Sequence, residues 1–209
     1  MNPSAGHRVF AALYDRVGAP AERGWLGERR RALLALSRGD VLEVGAGTGA
    51  NLAHLPPGLG RVTLSEPDPA MRRRLARRVA RAGRAGVVID PSPAERLALD
   101  DASVDTVVVT LALCSVASPT LALAEMRRVL RPDGRLLFLE HVRGHGLRAR
   151  LQRLARPMWC RLAAGCHPDR DTVATIRAAG FVIERLTVTD AGPGVPLAKP
   201  YAYGVARRG

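Results

Sequence analysis

Three glycines at alternate positions, Gly45, Gly47 and Gly49, follow the apolar run Val41 to Val44 in VLEVGAGTGAN, which ends on Asn51. Residues without a side chain let the backbone turn tightly off a strand and approach a ligand closely. A dinucleotide fingerprint would place its third glycine two residues beyond Gly49, where a pyrophosphate meets a helix N-terminus. The G-x-G-x-G spacing, with Glu43 inside the strand, instead suits a ligand that has no phosphate but has a charged amino-acid end and a ribose. Glu66 in LSEPDPAM stands at the end of the next strand, where a carboxylate can accept from both ribose hydroxyls. The plainer reading is that Glu66 only ends the strand while Asp68 caps the following helix.

The ligand that joins those parts is S-adenosylmethionine, whose sulfonium methyl is already activated. Transfer from it needs positioning and exclusion of water more than a covalent intermediate. An acceptor would face Cys114 and Ser115 after the fourth strand and Glu140 and His141 at the end of the fifth, because ligands in open parallel sheets lie beyond the carboxyl ends of the strands. His141, with Glu140 beside it, is the candidate base or thiolate partner, against the alternative of packing at a strand end. A thiol acceptor, ordinarily with a pKa near ~8.5, is easily tipped to thiolate by cationic neighbours. Cys114 reads more readily as a small buried apolar residue than as a nucleophile. His141, His145, Cys160, Cys166 and His167 raise the question of a metal, but their spacing lacks the tight pairs of structural zinc sites, and no metal is expected.

The 209 residues, 47% hydrophobic and 24% charged, fit one globular domain with a single core. The net charge of +13 invites a polyanion partner, yet Lys199 is the only lysine among 32 basic residues, an arginine bias that needs no selected nucleic-acid site. Three cysteines make no disulfide framework, which points to a reducing cytoplasm. The stretch from Thr106 to Ala124 is too interrupted to span a membrane, and MNPSAGHRVF has no apolar signal-peptide core.

Strands are expected at Asp40 to Val44, Arg61 to Ser65, Gly86 to Asp90, Val104 to Thr110, Arg135 to His141, Phe181 to Thr189 and Ala202 to Ala206. Helical patterns alternate with the first five, the mark of a mostly parallel, Rossmann-like sheet with helices on both faces. Asp68 to Arg84 puts Met71, Leu75 and Val79 on one stripe and arginines opposite. Ser118 and Pro119 open a helix through Leu130, and RPDG at Arg131 to Gly134 is a turn. Two helical patterns precede the first strand, one with Val9, Phe10, Leu13, Tyr14 and Val17, the other over Ala21 to Leu36. Residues 1–38 are thus expected to form a helical lid on a core of residues 39–209. Leu147, Leu151, Leu154, Met158 and Leu162 fall at helical spacing among arginines, with Pro157 expected to kink or interrupt the helix. That helix would cap the acceptor pocket or rest on an anionic membrane.

In order along the chain, VLEVGAGTGAN, SEPDPAM, SPAERLALDDASVDTVVVTLALCSV and MRRVLRPDGRLLFLEHV resemble the class I S-adenosylmethionine-dependent methyltransferases of the type 11 superfamily. TLALCSV, EHV, PMW with AGC, and KPYAYGVA are similar to the methyltransferase-like seven group, whose members are thiol S-methyltransferases. The resemblance implies a seven-stranded sheet with an antiparallel last strand, S-adenosylmethionine as cofactor, S-adenosylhomocysteine as product and a small-molecule acceptor. It implies Gly45, Gly47, Gly49 and Asn51 around the methionine moiety with Glu43 bracing the loop, and Glu66 with Pro67 at the ribose. Met71, Ala94 and Glu95 would lie at the adenine, Thr110 and Leu111 at the methionine amine, and Tyr14 in the lid. Cys114, Ser115, Trp159, Cys166 and Tyr201 would line the acceptor pocket. The sequence lacks the N-terminal hydrophobic anchor of the animal members, so membrane residence does not carry over, and a bacterial member with another acceptor stays open. Phospholipid N-methylation and quinone C-methylation are the alternatives within this chemistry. A non-catalytic nucleic-acid binder on the same fold is the alternative outside it. Monomer and homodimer are both compatible with the sequence.

Overall fold

A computed structural model of the chain describes residues 18–163 and 165–209. The first lid pattern, with Tyr14, lies outside them. The second divides at Gly24 into helical residues 18–23 and α1 (Trp25–Leu34). The strands are β1 (Val41–Val44), β2 (Val62–Ser65), β3 (Val87–Asp90), β4 (Val104–Thr110), β5 (Leu130–His141), β6 (Phe181–Thr189) and β7 (Tyr201–Arg208). The helices that follow α1 are α2 (Pro69–Ala82), α3 (Pro119–Val129), α4 (Gly146–Leu162) and α5 (Thr172–Ala178).

The strands form one sheet in the order β3-β2-β1-β4-β5-β7-β6. The first five in that order are parallel, and β7 runs antiparallel between β5 and β6. This is the expected α/β class, and the chain reverses its direction of winding at β1 and β4. Along β4, Val107 and Val109 face one layer of the core with Leu123, Met126 and Phe138, while Val108 faces the other with Leu34, Leu64, Leu75 and Leu137. Alternation at a period of two thus feeds both layers, and β1 and β2 are buried along their whole length.

Local chemistry sets the helix ends. The Asp68 carboxylate accepts from the Ala70 and Met71 N–H groups, Pro69 opens α2, and Gly83 closes it at φ +60°. Ser118 caps α3 in the same way through Leu121 N–H.

One expectation needs correction. RPDG is not a turn ahead of β5 but part of it: the ladder passes from Val104↔Leu130 to Thr106↔Arg135, so residues 131–134 bulge from the strand without ending it. Pairing on either side outweighs the local turn preference. The apolar stripe of α4 is largely exposed. Gln152 is its buried residue, while Leu147, Leu154 and Leu162 are about 70% exposed or more. The helix continues through Pro157, and Leu151 and Leu154 border a shallow groove with Val195, Pro196 and Leu197.

β7 depends on one glycine. A Cβ on Gly204 would run into the Arg185 carbonyl at the β6 bulge and sit 3.1 Å from Phe138 Cζ. Gly204→Ala should cost about 1–3 kcal/mol, read as a lowered urea midpoint; an unchanged midpoint would mean that the bulge relaxes freely.

Candidate active site

The loops leaving β1, β4 and β5 lie side by side at the carboxyl end of the sheet, because those three strands are neighbours. The glycine loop has left-handed φ values at Gly45 (+69°), Gly47 (+58°) and Gly49 (+87°). A Cβ on Gly45 would come within 2.6 Å of Ala112 Cβ, so the β1 and β4 loops can touch only because a side chain is missing there. At Gly47 the same direction is open, with no atom within 4 Å. Its N–H donates to Glu66 Oε2 at 2.8 Å, and Asp68 N–H donates to Glu66 Oε1 at 2.8 Å. Glu66 therefore joins the glycine loop to the start of α2. Burial pushes its carboxyl up, against the pull of those two N–H groups.

Beneath the loop lies a buried polar network. Asn51 Nδ2 donates to Glu43 Oε1 (2.9 Å) and to Thr110 Oγ1 (2.9 Å). Arg30, 2% exposed on α1, donates to Asn51 Oδ1 (2.7 Å) and Thr110 Oγ1 (2.6 Å), and its Nε pairs with Glu22 (3.0 Å). Sequence reading passed over Arg30 as one of three consecutive arginines. Its signal was there, since Leu26, Arg30, Leu33 and Leu34 share one helical face. Glu43 Oε2 makes no hydrogen bond among the described residues, and burial raises the Glu43 carboxyl to about 7. An orphaned carboxylate oxygen beneath a glycine turn, with a second carboxylate at its rim, fits a ligand bearing a cationic amine and ribose hydroxyls.

The third buried carboxylate belongs to Glu140, which is fully buried. It accepts from the N–H groups of Ala112 (2.8 Å), Leu113 (2.9 Å) and Cys114 (3.3 Å). These bonds hold the β4 loop just after Leu111, a non-glycine residue at φ +56°. Desolvation nonetheless pushes the carboxyl up to about 7. The expectation that Glu140 meets an acceptor directly gives way here: its oxygens are turned onto backbone.

On the open side of that loop, His141 Nδ1 lies 3.9 Å from Cys114 Sγ and 3.7 Å from Cys166 Sγ. Ser115 Oγ is 3.6 Å from Cys114 Sγ, and the Tyr201 ring stacks 4.8 Å from His141. The neighbouring Cys166 thiol, with burial, pushes the Cys114 thiol up, and Cys114 together with His141 brings Cys166 down from its ordinary value. Cys166 follows the end of α4, where Ala163 N–H donates to Trp159 O and Cys166 N–H to Ala163 O. Five of the sequence candidates thus meet at one place, with Trp159 a short step along the chain. Glu95 stands elsewhere, its carboxylate accepting from Ser118 N–H (3.0 Å), beside buried Ala94. Met71 is half-buried in the first turn of α2, and Pro67 is exposed beside it.

The methyltransferase domain family matches residues 42–138. The chain is 32% identical over 203 residues to thiol S-methyltransferase TMT1A of Homo sapiens, covering 94% of this chain and 82% of that protein. It is 41% identical over 147 residues to thiol S-methyltransferase TMT1B of Rattus norvegicus, a match that covers 68% of this chain but 59% of that protein. A Thermotoga maritima structure described as an S-adenosylmethionine-dependent methyltransferase, possible histamine N-methyltransferase, superposes at a TM-score of 0.68. Its 20% identity, over 98% of both chains, is likeness of fold alone.

The raised Glu43 carboxyl gives stability that is complete below the ordinary carboxylate range and lost as pH rises through about 7. Glu43→Gln should flatten the fall in urea midpoint across that window; a wild-type slope in the variant would assign it to another group. Arg30→Met, which strips a buried charge from its partners, should cost about 3–5 kcal/mol by the same measurement.

Proposed function

The chain belongs to the S-adenosylmethionine-dependent methyltransferases, and we propose that it methylates the sulfur of a small-molecule thiol. When bound, S-adenosylmethionine supplies a methyl group already activated on a sulfonium. The chain's own residues bind, orient and shield. Glu66 would take the ribose hydroxyls, with Pro67 beside it and Met71, Ala94 and Glu95 toward the adenine. Gly45, Gly47 and Gly49 would follow the methionine moiety, whose amine would meet the free oxygen of Glu43 and the backbone at Thr110 and Leu111.

The observation that carries the thiol reading is the reach of the similarity to TMT1A. The family match common to methyltransferases ends at residue 138, whereas the TMT1A alignment covers 94% of the chain and so takes in the acceptor side. Acceptor choice belongs to that side, where His141, Cys114, Cys166 and Tyr201 converge. An imidazole beside the entering sulfur favours thiolate over thiol. Glu140 acts as a positioning residue by fixing the backbone of Cys114. The activity and acceptor are proposed for the chain as given, which spans about three fifths of TMT1B.

No helix among the described residues is long and apolar enough to cross a membrane. The exposed stripe of α4, flanked by exposed Arg150, Arg153 and Arg161, supports a peripheral contact with an anionic surface instead. Vesicles containing phosphatidylserine should retain the protein and neutral phosphatidylcholine vesicles should not. Leu154→Glu should abolish retention; undiminished retention would place the contact elsewhere.

Incubation with labelled cofactor and a panel of thiols, amino-lipids and quinols should yield thioethers; methylated amine or quinone alone would reject the thiol. Glu66→Ala should weaken S-adenosylhomocysteine binding by calorimetry about 10- to 100-fold, the worth of a charge-assisted pair of hydrogen bonds. Equal affinity in both proteins would remove Glu66 from the ribose.

A further inference from the structure

Cys114 Sγ, His141 Nδ1 and Cys166 Sγ come from the β4 loop, the end of β5 and the segment after α4, and all three atoms lie within 4.8 Å of one another. Two sulfurs therefore converge on one imidazole nitrogen, at 3.9 and 3.7 Å. That nitrogen has a single lone pair or a single hydrogen, so it can serve only one of the two thiols. A metal ion at the point of convergence serves all three groups at once. Tetrahedral zinc, with bonds of about 2.3 Å to sulfur and 2.0–2.1 Å to nitrogen, places sulfur and nitrogen about 3.6 Å apart. The observed spacings lie within a few tenths of an ångström of that separation.

Hydrogen bonds to main-chain atoms hold the two cysteine segments in place. Glu140 accepts from Cys114 N–H, and His167 N–H donates to Cys114 O at 2.8 Å. Arg170 donates to Leu113 O at 2.6 Å, and Cys160 Sγ donates to Cys166 O at 3.1 Å. Cys114 and Cys166 are buried, whereas His141 is half-buried and Ser115 beside it is exposed, so the cluster opens toward the acceptor side. Two cysteines and one histidine also form a known ligand set for zinc sites that keep one position open.

We propose that Cys114, His141 and Cys166 bind one Zn²⁺ and that its fourth position takes the sulfur of the acceptor. Two thiolates neutralise the ion, which suits a site with little access to water. On entering, the acceptor thiol forms the metal–sulfur bond and loses its proton to solvent, so the ion does the work otherwise asked of a base. The second half of this proposal rests on the thiol reading above; the metal site itself does not.

Reduced protein titrated with Co²⁺ should bind about one ion per chain, with visible bands of a tetrahedral site and near-ultraviolet thiolate charge transfer, and Zn²⁺ should displace it. Cys114→Ser and Cys166→Ser should weaken binding by more than the about 10- to 100-fold lost with an outer-shell partner. Cys160→Ser, which keeps a hydroxyl donor for Cys166 O, should weaken it by no more than that outer-shell amount. Adding 2-mercaptoethanol to the Co²⁺ protein should strengthen the charge-transfer band, and ethylene glycol should not. Wild-type protein that binds S-adenosylhomocysteine yet gives no tetrahedral cobalt spectrum overturns the metal site and leaves the methyltransferase untouched. A cobalt spectrum that ignores the thiol, in a protein that methylates only amines or quinols, overturns the acceptor assignment while the metal stands.

Discussion

Buried carboxylates organise the functional end of this molecule. Glu43, Glu66 and Glu140 stand at the carboxyl ends of β1, β2 and β5, all nearly closed to water. An unpaired carboxylate in such a place costs several kcal/mol, so each has drawn donors to itself. Glu66 takes the N–H groups of the glycine loop and the α2 cap, and Glu140 takes three consecutive N–H groups of the β4 loop. Glu43 takes Asn51, with Arg30 close enough to lower its carboxyl, and keeps one oxygen free. Loops that would otherwise wander are fixed because their donors have fixed acceptors.

The order of the strands makes this economical. With β1 between β2 and β4, and β5 next to β4, three adjacent strand ends deliver the glycine turn, the left-handed Leu111 and the His141 cluster to one rim. The missing Cβ of Gly45 lets the first two loops touch. The polar network under the glycines and the sulfur–imidazole cluster beyond the β4 loop are therefore two faces of one short segment, residues 110–115. A strain or shift in that segment is felt on both sides.

Much of this was legible from residue types in order. Period-two alternation and caps such as Asp68 and Ser118 are local, so strands and helices stood where pattern placed them, mostly within a residue or two. RPDG misled because its turn preference is also local, while the ladder that carries it through β5 is not. The α4 leucines have the spacing of an apolar stripe, but spacing does not say what lies opposite it.

By itself the chain of letters determined the sheet class, the glycine turn and Glu66 at the following strand end, because these depend on neighbours a few residues apart. Tertiary structure alone decided that Glu140 faces backbone, that Arg30 finds Asn51 and Thr110 as partners, and that Cys114, His141 and Cys166 meet. The two cysteines are separated by 52 positions in the numbering, with His141 between them. No local spacing rule spans such a gap, since folding of the whole sheet is what closes it.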